Sequence, residues 1–347
     1  MSRQRLIWLA GAGLAIIIAV AVIATRGVDT LADFRLPGPG ICYLTTGPDF
    51  LLVTQLEGRL TRLTAAMSDE GSGWARPFTH PAGFRGVAAV GEARAFVGCG
   101  DARVRAIELV SGVQAWESIV GASAGPPVVA GDAVFFGADD GYVYAAAAED
   151  GAIRWSAAVG ARVPAAPLVT DDSVLVGTTA GIVHCLNRSD GEKRWRTTLD
   201  GPVYATAREI ADGYLVGCDD GHVHKLSREG DLLAIVEMEG IVRAPVGIGG
   251  DVVVAGDSAG VICRIEPEVM TTVWRRRLRG CIAVAPIVDR DRVYCATGRE
   301  LVCMTAAQGR VIWRRSTRAP STDLALAGGH LYWATADGYV CRLALTR

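Results

Sequence analysis

Net charge is almost absent from this chain: 35 lysines and arginines face 37 aspartates and glutamates, leaving about −2 near neutrality. No global field would draw such a chain onto nucleic acid, which is therefore not an expected partner. Aromatic residues are scarce at 7%, while glycine is abundant at 42 copies, a balance that suits many short strands joined by tight turns. There is no phosphate loop of the form GxxxxGK, and no arrangement of serine, histidine and acid announces a nucleophile. His222 and His224 share one strand face, and His80 and His330 fall in loops, each reading as an ordinary residue.

Charge is also missing from Leu6 to Ala24, a run of nineteen apolar or small residues between Arg5 and Arg26. As a helix, this length crosses a bilayer core. The expectation is an uncleaved transmembrane signal anchor over residues 6–24, with residues 1–5 in the cytoplasm. Arg3 and Arg5 then hold the start of the chain inside, and everything after Arg26 lies on the periplasmic or extracellular face of the inner or plasma membrane. A cleaved secretion signal is the alternative, with Val22-Ile23-Ala24 offering small residues to a peptidase. No cysteine closely follows the run, so a lipid anchor would lack its acceptor.

Beyond Arg26 the chain is built on a repeat. Eight segments align without gaps, among them VFFGADDGYVYAA from Val134 and YLVGCDDGHVHKL from Tyr214. Their turn positions fall at Gly58, Ala102, Gly141, Gly181, Gly221, Gly260, Glu300 and Gly338, with separations of 44, 39, 40, 40, 39, 40 and 38. Each copy reads as an apolar run, a Gly/Asp turn and a second apolar run, the pattern of a β-hairpin. A shorter run precedes it, often opening with proline as at Pro127, Pro167, Pro245 and Pro286, and a fourth run comes after it with tryptophan. Trp116, Trp155, Trp195, Trp274 and Trp313 mark that fourth strand, and Val236 takes the place once. No 3.6-residue apolar rhythm runs through these units, which excludes a helical solenoid. Four strands in about forty residues is the arithmetic of a propeller blade. The expected fold is all-β, an eight-bladed propeller of four-stranded blades over residues 28–347. The eighth copy ends at Arg347 before any fourth strand, so Val28 to Arg35 is expected to supply it, with Phe34 near the tryptophan position.

The motif GxVYA followed about ten residues later by GxxxW, best seen in Gly141 to Ala145 with Gly151 and Trp155, resembles the pyrroloquinoline-quinone (PQQ) type propeller repeat. That repeat serves quinoprotein alcohol dehydrogenases and also a non-enzymatic family typified by BamB, a propeller that helps assemble outer-membrane proteins. The resemblance implies that the five tryptophans dock blade on blade. It also implies that an enzyme of this kind would be longer and carry adjacent cysteines beside its cofactor, and no two of the nine cysteines here are adjacent. No enzyme activity and no cofactor are expected.

No metal site is expected either. His184, His224, Cys263, Cys303 and Cys341 all sit three residues after the turn position. Equal register makes them point the same way around a ring whose sheets stand about 10 Å apart, too far for metal bonds of about 2.0–2.3 Å. The same register places Cys303 opposite Tyr294 with Cys295 on the other face, which predicts mostly free, buried thiols.

One feature rises above this background. Arg275, Arg276, Arg277 and Arg279 follow Trp274, while Arg314, Arg315 and Arg318 follow Trp313. They read either as edge-strand protection or as a candidate surface for an acidic protein partner or lipid head groups. The expected function is a non-catalytic, membrane-tethered scaffold binding protein partners outside the cytoplasm, in envelope protein assembly. The alternatives are a quinoprotein-type oxidoreductase and a ligand-sensing propeller.

Overall fold

In the computed structural model, residues 31–36, 38–64, 74 and 76–345 are described. The anchor expected over 6–24 and the expected cytoplasmic residues 1–5 lie outside them, and among the described residues no helix is long and apolar enough to cross a membrane.

Among the described residues thirty-two strands form eight four-stranded antiparallel sheets. Seven are meanders of consecutive strands: blade 1 from Cys42 to Thr79, blade 2 from Ala89 to Ile119, blade 3 from Val128 to Ala158, blade 4 from Leu168 to Thr198, blade 5 from Arg208 to Glu237, blade 6 from Gly247 to Arg277 and blade 7 from Ile287 to Ser316. Blade 8 takes three strands from Ser321 to Ala344 and its outer strand, Leu31–Arg35, from the other end of the chain. The expected clasp is present. Its register places Ala32, not Phe34, at the tryptophan position, because Ala32 faces Arg342, four residues after the turn glycine, just as Trp155 faces Ala145. Phe34 is two residues further along, opposite Val340.

Strands alternate their faces, so each blade offers apolar side chains to both neighbours. Eight hydrophobic clusters result, one at every junction around the ring, including that of blade 8 with blade 1. The first strands of adjacent blades approach one another near the axis, and the fourth strands form the exposed periphery. At one rim, hairpin turns interlock with the loop entering their own blade: the Asp139 amide donates to Ser123, Thr179 to Arg162, Asp219 to Pro202 and Ser258 to Ile241, each at 3.0 Å.

The seventh hairpin departs from the ungapped alignment. Thr297 pairs with Glu300 across a two-residue turn in which Gly298 has φ +44°, whereas the other turns hold three residues. Glu300 is thus the first strand residue rather than the turn. Cys303 moves one register position, to face Trp313 as Cys185 faces Trp195. It still lies opposite Tyr294, and all nine cysteines are free thiols, eight of them buried and Cys281 exposed.

The ring closes on a buried carboxylate. Asp323 of blade 8 accepts the Leu44 amide of blade 1 through Oδ2 at 2.8 Å and the Leu324 amide through Oδ1 at 2.8 Å. Beside them, Thr322 accepts from the Cys42 amide and donates to its carbonyl. Burial pushes the Asp323 carboxyl up to about 7, against the opposing pull of the two amides. Because the folded value lies above the unfolded one of about 4, the folded protein retains a proton that the unfolded chain has lost between those limits. Stability is full below about pH 4 and falls as pH rises through about 7, by at most roughly 3–4 kcal/mol. Asp323→Asn, which keeps an oxygen for the Leu44 amide, should flatten this slope in urea unfolding measured from pH 4 to 8; an unchanged slope would place its origin elsewhere.

Candidate blade-docking and partner-binding surfaces

The tryptophans follow one geometry. Each indole lies over a glycine of the next blade and donates its Nε1–H to a carbonyl there: Trp116 to Ala148 at 3.1 Å, Trp155 to Arg188 at 3.0 Å, Trp195 to Arg228 at 2.7 Å and Trp274 to Ala306 at 2.8 Å. Glycine is required beneath. At Gly151, Gly191, Gly230 and Gly309 φ lies between +63° and +92°, and a Cβ would meet the ring at 2.5–2.6 Å. The residue two places after the tryptophan reinforces the dock, with Ser118 and Thr197 donating to the glycine carbonyl and Arg276 doing so at 3.1 Å. Trp313 packs instead against the cluster joining blades 7 and 8.

Trp74, which the repeat pattern did not single out, docks blade 1 onto Gly112 and donates to Leu109 at 2.7 Å. Its signal was hidden because it precedes the short strand Phe78–Thr79 instead of standing within it.

Blade 5 breaks the rule. Register puts Ala234, not Val236, at the tryptophan position, since Ala234 faces Lys225, four residues after Gly221. The glycine expected opposite, in blade 6, is Met270, whose φ is +53° and whose amide donates to Glu266 as Gly309 donates to Thr305. Ala234 and Met270 share a cluster, so the large side chain has changed sides of the junction. Lys225, only 3% exposed, crosses the same gap to the Pro267 carbonyl at 2.7 Å and pairs with Asp212 at 2.7 Å. A cleft of about 1080 Å³ opens here between blades 5 and 6, about twice the comparable clefts of blades 2–3 and 7–8, and carries Glu209, Asp212, Asp251 and Glu266.

The seven arginines divide. Arg277 pairs with Glu239 and Arg314 with Glu300. Arg275 donates to the Glu237 carbonyl of blade 5 at 2.6 Å, and Arg276 to the Gly309 and Gln308 carbonyls of blade 7. Among the described residues no carboxylate lies within salt-bridge range of Arg275 or Arg276, whose positions are fixed by carbonyl oxygens instead. Arg318 stacks on Tyr339 at 4.4 Å, Arg315 over Trp313 at 6.0 Å, and Arg279 is exposed. Beside this basic face, the outer strand of blade 5, Leu232–Glu237, exposes Leu232, Leu233 and Ile235 at about half their area and bears no lysine or arginine. An exposed apolar outer strand bordered by arginines is a docking edge in form.

Two smaller sites lie at the rim of hairpin turns. Arg85 and Arg162 both clamp Asp139, at 3.0 and 2.9 Å, and Arg243 grips Asp219 at 2.6 Å. In blade 5, Cys218, Asp220 and His224 bring a thiol, a carboxylate oxygen and an imidazole nitrogen within 4.8 Å of one another.

Comparison with known proteins places this geometry. The family model described as outer membrane protein assembly factor BamB matches residues 56–214, 219–300 and 296–346. The crystal structure of BamB from Moraxella catarrhalis superposes with a TM-score of 0.79 at 18% identity, covering 92% of this chain and 98% of that one. The computationally designed Ika8 protein gives 0.79 at 15% identity over 90% and 98%, and Sqt1 from Saccharomyces cerevisiae 0.79 at 10% over 92% and 99%. No curated protein matches. Likeness at these identities concerns the fold.

The exchange at the blade 5–6 junction is testable as a pair. Ala234→Trp alone should clash with Met270 and lower stability by about 1–3 kcal/mol. Met270→Gly alone should cost a comparable amount, the lost packing partly offset by relief at a positive φ. Together they restore the indole-on-glycine dock, and thermal unfolding should return near the parent value, a coupling of about 1–3 kcal/mol. Additive losses would show that the two positions do not exchange volume.

Proposed function

Since this chain belongs to the BamB family of PQQ-type propellers, we propose that it is a non-catalytic scaffold that binds protein partners along the outer strands of blades 5 to 7, tethered to the membrane by residues 6–24 and working in envelope protein assembly outside the cytoplasm. The observation that carries the reading is the exposed apolar strand of Leu232, Leu233 and Ile235, whose end at Glu237 is held by the Arg275 guanidinium of the next blade. The strand edge leaves backbone donors and acceptors for an added strand, the apolar side chains offer pockets of burial, and the fixed positive charge favours an acidic flank. The tether rests on the nineteen uncharged residues from Leu6 to Ala24 and the arginines before them. It would confine the search for partners to the membrane surface.

A photo-reactive residue at Leu233 should crosslink a discrete protein in intact membranes, and the yield should fall at least fivefold when Arg275 and Arg279 are both changed to glutamate. Crosslinking that is indifferent to both charges, or equal from a control position at Ile153 on blade 3, would remove this surface from the proposal. Release of the full chain by alkaline carbonate washing would independently remove the tether.

A further inference from the structure

We propose that the second hairpin of blade 5 is a transition-metal site of the zinc class, with Cys218, Asp220 and His224 as ligands and His222 as the fourth donor. The four residues alternate along one turn. Cys218 directly follows the strand Gly213–Gly217, Asp220 lies in the turn, and His222 and His224 belong to the strand His222–Leu226. Three of the four donor groups already lie within 4.8 Å of one another, and His222 stands just outside that group, against Asp220. His224 Nε2 stands 2.7 Å from Asp220 Oδ2, His222 Nδ1 stands 3.3 Å from Asp220 Oδ1, and the Cys218 sulfur shares the 4.8 Å cluster. Tetrahedral zinc with bonds of about 2.0–2.3 Å separates its ligand atoms by roughly 3.3–3.8 Å. The contact of His224 with Asp220 must therefore open by about an ångström or less, and the sulfur must close by about as much.

The burial is that of a built site. Cys218 is fully buried, and the side chains of Asp220 and His224 are 7% and 6% exposed. His224 Nδ1 has no hydrogen-bond partner, and the thiol spends itself on the Gly201 carbonyl at 3.1 Å. A thiol, an imidazole and a carboxylate together are a borderline-soft set suited to zinc rather than to calcium or magnesium.

The repeat supplies its own control. At the same four places blade 3 carries Ala138, Asp140, Tyr142 and Tyr144, and there the Tyr144 hydroxyl donates to Asp140 Oδ2 at 2.6 Å while the Tyr142 amide donates to Oδ1 at 3.0 Å. That turn is satisfied by hydrogen bonds alone. Blade 5 keeps the aspartate and the amide contact, at 2.9 Å from His222, but substitutes a metal-binding side chain at each of the other three positions. Blade 4 has threonine, alanine, isoleucine and His184 there, and blade 6 has Asp257, alanine, valine and Cys263, so neither gathers a full set. Equal register still keeps the ligands of different blades too far apart to share an ion. This set converges because it lies within one hairpin.

The test uses cobalt(II) as a spectroscopic stand-in for zinc on the full chain in detergent. One equivalent of Co(II) should give d–d bands of tetrahedral intensity together with a thiolate charge-transfer band in the near ultraviolet, and Zn(II) should displace it. Cys218→Ala with His224→Tyr, which installs blade 3's own residues and so preserves the fold, should abolish the bands and weaken Zn(II) binding at least a hundredfold. His222→Ala should weaken it less, and His184→Ala should change nothing. Absence of the thiolate band in protein shown to be folded by circular dichroism, or bands that survive the double substitution, would overturn the proposal.

Discussion

A sheet of four short strands cannot bury two apolar faces by itself. Each blade here lends half of every cluster and receives the other half, so stability is a property of junctions and not of units. Everything distinctive about the molecule answers that constraint. Indoles lie on glycines because a flat ring and a bare backbone let outer strands approach. The chain's early strand completes blade 8 because an unpaired edge would leave the last junction open. A carboxylate is tolerated inside the closing seam because the Leu44 amide would otherwise be buried without an acceptor.

The parts of this architecture fixed by local chemistry were legible in the sequence. Glycine and aspartate at hairpin turns, proline at strand starts and a period near forty residues are each consequences of a single residue's backbone or of its nearest neighbours. Registers across strands were less so. Assigning Val236 and Phe34 to the tryptophan position was a slip of two residues along a strand, which keeps the same face and so leaves the apolar pattern intact. Only pairing partners distinguish such slips. The seventh hairpin hid its missing residue in the same way, because Gly298 and Glu300 both suit a turn. Trp74 escaped because its strand is almost reduced to a bridge.

What the sequence withheld most completely was compensation between distant positions. Ala234 and Met270 each look ordinary alone. Only when the junction is assembled does one read as a vacated indole and the other as the group that fills its place. The arginines teach the converse. A run of like charges invites a functional reading, yet Arg276 acts on the Gly309 carbonyl as Ser118 acts on Gly151, so part of the run is joinery. A residue can hold a blade in place and still present its charge outward.

These departures gather in one place. Blade 5 lacks the docking tryptophan, exposes three large apolar side chains on its outer strand, borders an interblade cleft of about 1080 Å³ and carries the Cys, His, His hairpin. In a ring of near-equivalent units, stacking alone asks the same of every blade, and five others meet it with indole, glycine and carbonyl. Blade 5 meets it by costlier means, with a buried Lys225 bridging to Pro267 and a methionine at a left-handed position. Such means leave the outer face and the turn rim of one blade free of the repeat's own residues, which is where a ring of otherwise interchangeable parts acquires a direction.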